Sequence, residues 1–153
     1  MKHKTTLINN RRYLGNKYKL LPFIKDIVDS ECSKILSMAD IFAGTGAVAS
    51  AFLDKKIISN DIMYSNYICN RAWFSPEKFN PSKIKAIIIR YNNMVDSEEN
   101  YMVNNFSDTF FSKENCLKIG AIRENIKNLY KADKINKKER SLLITSLLYA
   151  MDK

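Results

Sequence analysis

The chain has 153 residues, 46% of them hydrophobic and 27% charged, with a formal net charge of +9. That length and balance fit a globular protein with a real core, and no apolar run reaches the ~18 residues of a membrane span. Three scattered cysteines (Cys32, Cys69, Cys116) and one histidine, His3, argue against a disulfide framework or a metal site and fit a reducing, cytoplasmic setting.

The positive charge is concentrated at the start. Residues 1–25 carry seven Lys or Arg, and the first carboxylate is Asp26. Such a block suits a polyanion, most simply nucleic acid; a solvated basic surface accounts for it equally well, and both readings stand at this point. Gly15-Asn16 marks a turn. Beyond it Leu20, Leu21, Phe23, Ile24, Ile27 and Val28 recur at helical spacing, with Pro22 near the helix start. Lys17 therefore lies at a helix N-terminus, where a cation opposes the helix dipole at a cost of roughly 0.3 kcal/mol or more. A ligand carboxylate would offset that cost, unless the side chain points into water.

Residues Ile35 to Phe42 read as a short buried strand, Gly44 and Gly46 as a tight turn, and Ala47 to Leu53 as the first turns of a helix. A second strand, Lys56 to Ser59, ends at Asn60-Asp61, fifteen residues past Gly46. Gly44, Gly46 and Ala49 fit the spacing G-x-G-x-x-A, in which the absent side chains let a ligand approach the backbone. An acid at the tip of the second strand suits a ribose hydroxyl pair. Strand, glycine turn, helix, strand and acid make a nucleoside-binding unit, although the spacing alone also occurs in ordinary tight turns. Asp40 selects the nucleoside. It stands four residues before Gly44, where a pyrophosphate would meet a like charge. S-adenosylmethionine has no phosphate, and its amino group and sulfonium suit a carboxylate. Alternatively, Asp40 caps the helix or holds the loop.

Downstream the pattern is helical. Tyr64 to Phe74 offers Tyr67, Ile68, Ala72 and Trp73 as buried positions, Trp73 as a core or docking residue. Asn80-Pro81 is an N-cap followed by proline at the first helical position, and Ile84, Ile87, Ile88 and Tyr91 follow. Residues 92–108 read as a surface loop with a short extended piece around Tyr101 to Val103. Ser112 opens a helix from Lys113 to Lys131 with Ile119, Ile122, Ile126, Leu129 and Tyr130 on one face. Asn136 with Glu139 resembles a capping box and opens a last helix. That helix is apolar around most of its circumference, so burial on more than one side is expected. It ends without a glycine cap, which leaves Leu142, Leu143, Leu147, Leu148 and Met151 as an apolar surface in need of cover.

These residues together resemble a known family. Arg12-Tyr13-Leu14-Gly15-Asn16-Lys17 is similar to the N-terminal motif of Dam-like, adenine-specific DNA methyltransferases. Asp40-Ile41-Phe42-Ala43-Gly44-Thr45-Gly46 resembles their D-x-F-x-G-x-G motif, and Ser59-Asn60-Asp61 stands where their second-strand acid stands. The segment from Phe111 to Arg123 and the segment from Ser146 to Lys153 resemble stretches of restriction-modification methylases. The resemblance covers nearly the whole chain. It implies that Tyr13 and Lys17 contact S-adenosylmethionine from one side, that Asp40, Phe42, Gly44 and Gly46 hold its methionine end, and that Asp61 holds its ribose. Arg11, in the basic block, and Arg12, by the resemblance, are the candidate contacts to double-stranded DNA. The helices from Ser112 onward fall in the region that such enzymes insert for target recognition.

One departure concerns the chemistry. The family's Asp-Pro-Pro-Tyr motif is absent; the only prolines are Pro22, Pro76 and Pro81. The exocyclic amino group of adenine is a poor nucleophile. The motif supplies acceptors for its protons and a ring that stacks on the flipped base, and without it the orientation contribution is lost. The sequence therefore offers no catalytic residue. The expectation is an α/β protein: an incomplete Rossmann-like, S-adenosylmethionine-dependent methyltransferase core in residues 1–80, with a helical insert in 81–153. It would be a truncated product or one part of a split enzyme completed by a complementary C-terminal methyltransferase fragment. Two alternatives remain: a non-catalytic remnant that binds cofactor, DNA or its missing half, and a dinucleotide enzyme, against which Asp40 argues.

Overall fold

A computed structural model describes residues 17–95 and 98–152. The chain divides into two compact units, one running to Ser75 and the other from Pro76 to Met151. The fold is mixed α/β.

In the first unit a 3-10 turn, Lys17–Leu20, leads into α1 (Leu21–Glu31), with Pro22 in its first turn. Then come β1 (Ser37–Asp40), α2 (Ala47–Ala51), β2 (Lys56–Ser59) and α3 (Tyr64–Phe74). β1 and β2 pair in parallel, Ser37 opposite Lys56 and Asp40 opposite Ser59. Parallel strands need a crossover, and α2 provides it. The buried residues are mostly small: Ala43, Ala47, Ala49, Cys69 and Ala72, around Phe52 and Ile68.

Two expectations change here. The first strand is shorter than Ile35–Phe42 and is not buried: β1 and β2 both alternate exposed and half-buried positions, and Leu36, Ile41, Phe42 and Ile58 are exposed. Burial in this unit comes instead from α2 and α3. On α3, Ile68 and Ala72 are buried as expected, but Tyr67 is exposed and Trp73 only half-buried. Asn66 and Asn70 take buried positions, because the Asn70 amide serves the loop between β1 and α2 and the Asn66 amide serves Asp61.

The second unit is helical: α4 (Pro81–Asn92), α5 (Tyr101–Phe106), α6 (Lys113–Lys131) and α7 (Lys137–Met151). Its core is Ile84, Tyr91, Ile122, Ile126, Ile135 and Leu143. Asn80 and Ser112 cap α4 and α6 through their side chains. Asn136 and Glu139 form the reciprocal capping box: Asn136 Oδ1 accepts from Glu139 N (2.9 Å) and Glu139 Oε2 accepts from Asn136 N (3.0 Å). Glu139 does more than cap. It is 2% exposed, pairs with Lys83 Nζ at 2.6 Å, and accepts from Asn80 N at 3.1 Å. Lys138 N donates to Glu77 Oε2 and Asn136 Nδ2 to Lys78 O. These bonds draw residues 77–80 into the helical unit, which begins at Pro76.

The piece around Tyr101 to Val103 is helical, not extended. Asn100 Oδ1 accepts from Met102 N (3.0 Å) and Val103 N (3.3 Å), and Asn100 Nδ2 donates to Leu117 O on α6 (3.0 Å). Capping and packing on α6 outweigh the strand preference of Tyr101 and Val103. The last helix is also better covered than expected. Leu143 is buried and Leu142, Leu147, Leu148 and Met151 are half-buried, while the most exposed large apolar side chains of the first unit include Leu36, Phe42 and Ile62.

Candidate functional site

The loop between β1 and α2 brings most of the sequence-predicted residues together. Asp40 is the last residue of β1. The parallel ladder continues past it, as Asn60 N donates to Asp40 O (2.8 Å) and Ala43 N to Asn60 O (2.9 Å). Asn60 Nδ2 adds a bond to Ile41 O (3.1 Å). Gly44 and Gly46 then turn the chain with φ of +54° and +91°, values that favour glycine. Lys17 Nζ crosses from the 3-10 turn to donate to Phe42 O at 2.7 Å. The start of α1 is thereby tied to the loop, and the Lys17 ammonium has a protein acceptor rather than water alone. The Phe42 ring itself is 75% exposed.

Asp61 grips the turn. Its Oδ2 accepts from Gly44 N (2.8 Å), and its Oδ1 from Met63 N (2.9 Å) and Asn66 Nδ2 (3.0 Å). Burial by itself would raise the Asp61 carboxyl. The hydrogen bonds from Met63, Asn66 and Gly44, with the Lys17 charge nearby, hold it below the ordinary carboxylate range. It is therefore ionised at neutral pH.

Asp40 presents the opposite case. Its Oδ2 is buried and has no hydrogen-bond partner among the described residues. A bare buried carboxylate oxygen is costly, and native proteins seldom leave one without a reason.

Gly46 has a second constraint. A Cβ built on it would lie 2.7 Å from Phe74 Cε2 and 3.0 Å from Asn70 Oδ1. The place its missing Cβ would take is crowded by α3. Asn66 and Asn70, which the sequence reading passed over, are 1% and 6% exposed. Asn70 Nδ2 donates to Gly44 O and to Asn66 O, both at 2.8 Å. A signal for them exists: asparagine is a poor choice inside a helix, and two of them four apart on α3 imply work outside it. Tyr13, Arg11 and Arg12 lie outside the described residues.

Comparison with known proteins decides the family. The chain matches the D12 class N6 adenine-specific DNA methyltransferases over residues 13–153. The chain belongs to this family. Among curated relatives, the modification methylase LlaI of Lactococcus lactis subsp. lactis is 31% identical over an alignment covering 93% of this chain and 25% of the relative. The type II methyltransferase M.NlaIII of Neisseria lactamica is 29% identical, covering 92% of this chain and 45% of the relative. M.CviAII, a type II methyltransferase of Paramecium bursaria Chlorella virus 1, is 28% identical, with 95% and 46% covered. This D12 chain thus spans between a quarter and about half of the length of these relatives. No solved structure matches it significantly. Among the described residues no helix is long and apolar enough to cross a membrane, and no group of three or more His, Cys, Asp or Glu could hold a metal ion.

Proposed function

We propose that this chain is the methyl-donor-binding part of a site-specific adenine DNA methyltransferase of a restriction-modification system, with S-adenosylmethionine as the donor. The observation that carries the reading is the buried, unpartnered Asp40 Oδ2 beside the Gly44–Gly46 turn. An ammonium or hydroxyl donor on a ligand would satisfy that oxygen, whereas a phosphate would be repelled by it. Asp40, Phe42, Gly44, Gly46 and Lys17, with Tyr13, would hold the methionine end, and Asp61 the ribose through the lone pair on Oδ2 that its three protein donors leave open. When bound, S-adenosylmethionine supplies a methyl group activated by its sulfonium. On this reading the β1–α2–β2 path is the first βαβ unit of a Rossmann-like core, and the second unit is its helical insert. Arg11 and Arg12 would meet the DNA backbone.

Calorimetry with S-adenosylhomocysteine and with NAD tests the donor. S-adenosylhomocysteine should bind more tightly, and Asp40→Ala should weaken it at least about tenfold, the loss of a charged hydrogen bond. Tighter binding of NAD would reject the reading.

A second reading is favoured by one sequence fact: the chain carries no Pro-Pro pair. It would bind donor and DNA but supply no acceptor for the adenine amino protons, so transfer would need a complementary polypeptide bearing Asp-Pro-Pro-Tyr. Purified chain should then transfer no labelled methyl to DNA until that polypeptide is added. Turnover by the chain alone would show that another group fills the role.

A further inference from the structure

We propose that Asn66 and Asn70 are positioning residues that set the glycine turn in its ligand-receiving shape before any ligand arrives; the proposal rests on the cofactor reading above. Four hydrogen bonds close a ring. Gly44 N donates to Asp61 Oδ2 (2.8 Å), and Asn66 Nδ2 donates to Asp61 Oδ1 (3.0 Å). Asn70 Nδ2 donates to Asn66 O and back to Gly44 O, both at 2.8 Å. Both peptide groups of Gly44, its N–H and its C=O, are thereby held by side chains from the segment that follows β2.

The need for such a grip follows from the turn. Two glycines at positive φ have more conformations open to them than any other residues, and a free turn would sample many of them. Ordering it on ligand binding would subtract from affinity; ordering it beforehand does not.

The ring is also poorly explained as stability alone. Asparagine is unfavourable inside a helix. Asn70 Oδ1 is buried without a partner among the described residues, a cost that an apolar residue of similar size would avoid. What an apolar residue could not do is donate to Gly44 O. A residue that breaks a local rule while holding a ligand loop is the pattern expected where function sets the choice. Asn70 Oδ1 also lies 3.0 Å from where a Gly46 side chain would begin, so the same amide crowds a side chain at the second glycine.

Amide hydrogen exchange by NMR on the full chain, with S-adenosylhomocysteine titrations alongside, tests the ring. Asn70→Asp keeps the shape and removes the donor; Asn66→Ala removes the link to Asp61. Each should speed exchange at the Gly44 amide at least fivefold and weaken S-adenosylhomocysteine binding at least fivefold, at temperatures well below that variant's Tm. Amides of Ile84 and Ile126 in the helical unit should not change. Ile68→Val, a packing change on the same helix, should lower Tm yet leave Gly44 exchange and affinity in place. Unchanged Gly44 exchange in both asparagine variants would overturn the proposal, as would an affinity loss in Ile68→Val equal to theirs. Should Asn70→Asp fail to fold, Asn66→Ala decides by the same readouts. Wild-type chain that binds no S-adenosylhomocysteine would reject the cofactor reading, while Gly44 exchange would still report on the ring.

Discussion

Gly46 is constrained twice, by its backbone and by its neighbours. At φ +91° a Cβ is strained, by about 1–2 kcal/mol, and it would press on the Phe74 ring, adding about 1–3 kcal/mol of overpacking. Gly46→Ala should therefore destabilise by about 2–5 kcal/mol in denaturant unfolding. In a Phe74→Leu background the packing part should shrink, leaving the backbone strain of about 1–2 kcal/mol and the smaller crowding by the Asn70 amide. An equal penalty in both backgrounds would mean that Phe74 is not the obstacle. The G-x-G-x-x-A spacing identified this glycine from sequence, but on the argument that a ligand needs the room. The spacing shows that a side chain is excluded; only the position of α3 shows by what. Asn66 and Asn70 were missed for a related reason. A helical asparagine is read as solvated unless its partner is known, and here the partners lie five and 26 positions away.

At the scale of elements, legibility followed the strength of the local signal. β2, α3 and α6 have the bounds read from sequence, because turn residues or a serine cap delimit them, and the Asn136–Glu139 box forms as read. β1 was overextended because its apolar run suggested burial, whereas the run ends in exposed Ile41 and Phe42. α5 was missed because six residues that include Tyr101 and Val103 carry little helical preference. Its cause is Asn100, which caps it and also lies against Gly120 on α6, where any Cβ would collide with the Asn100 amide. This predicts a change of sign. Asn100→Ala should cost about 0.5–2 kcal/mol through the lost cap. Gly120→Ala in the wild type should also destabilise, by about 1–3 kcal/mol. In the Asn100→Ala background, Gly120→Ala should become neutral or stabilise by up to about 1 kcal/mol, as alanine is the better helix former. Additive penalties in thermal melts of the four proteins would show that the two residues do not meet.

For the whole molecule, the net charge of +9 invites a polyanion, and seven of its cations fall in residues 1–25. If these meet DNA phosphates, affinity should fall steeply with salt, with a log–log slope near −0.9 for each contact. Arg11→Ala and Arg12→Ala should each weaken binding in low-salt gel shifts and flatten that slope by about one. Wild-type binding that is absent at low salt, or slopes that stay the same, would return the charge to a solvated surface.

The pairing of β1 with β2 also bears on how the protein is made. Every pair in the register joins residues nineteen positions apart. Parallel strands are usually slow to form because their crossovers are long and closure entropy precedes any reward, but here α2 and two brief turns span the gap. The bonds that shape the turn are nearly as local: Lys17 to Phe42 spans 25 positions and Asn70 to Gly44 spans 26. None of these bonds involves a residue beyond Asn70. A nascent chain therefore holds every hydrogen-bonding group of the turn once Asn70 has been joined, before the first residue of α4 is added.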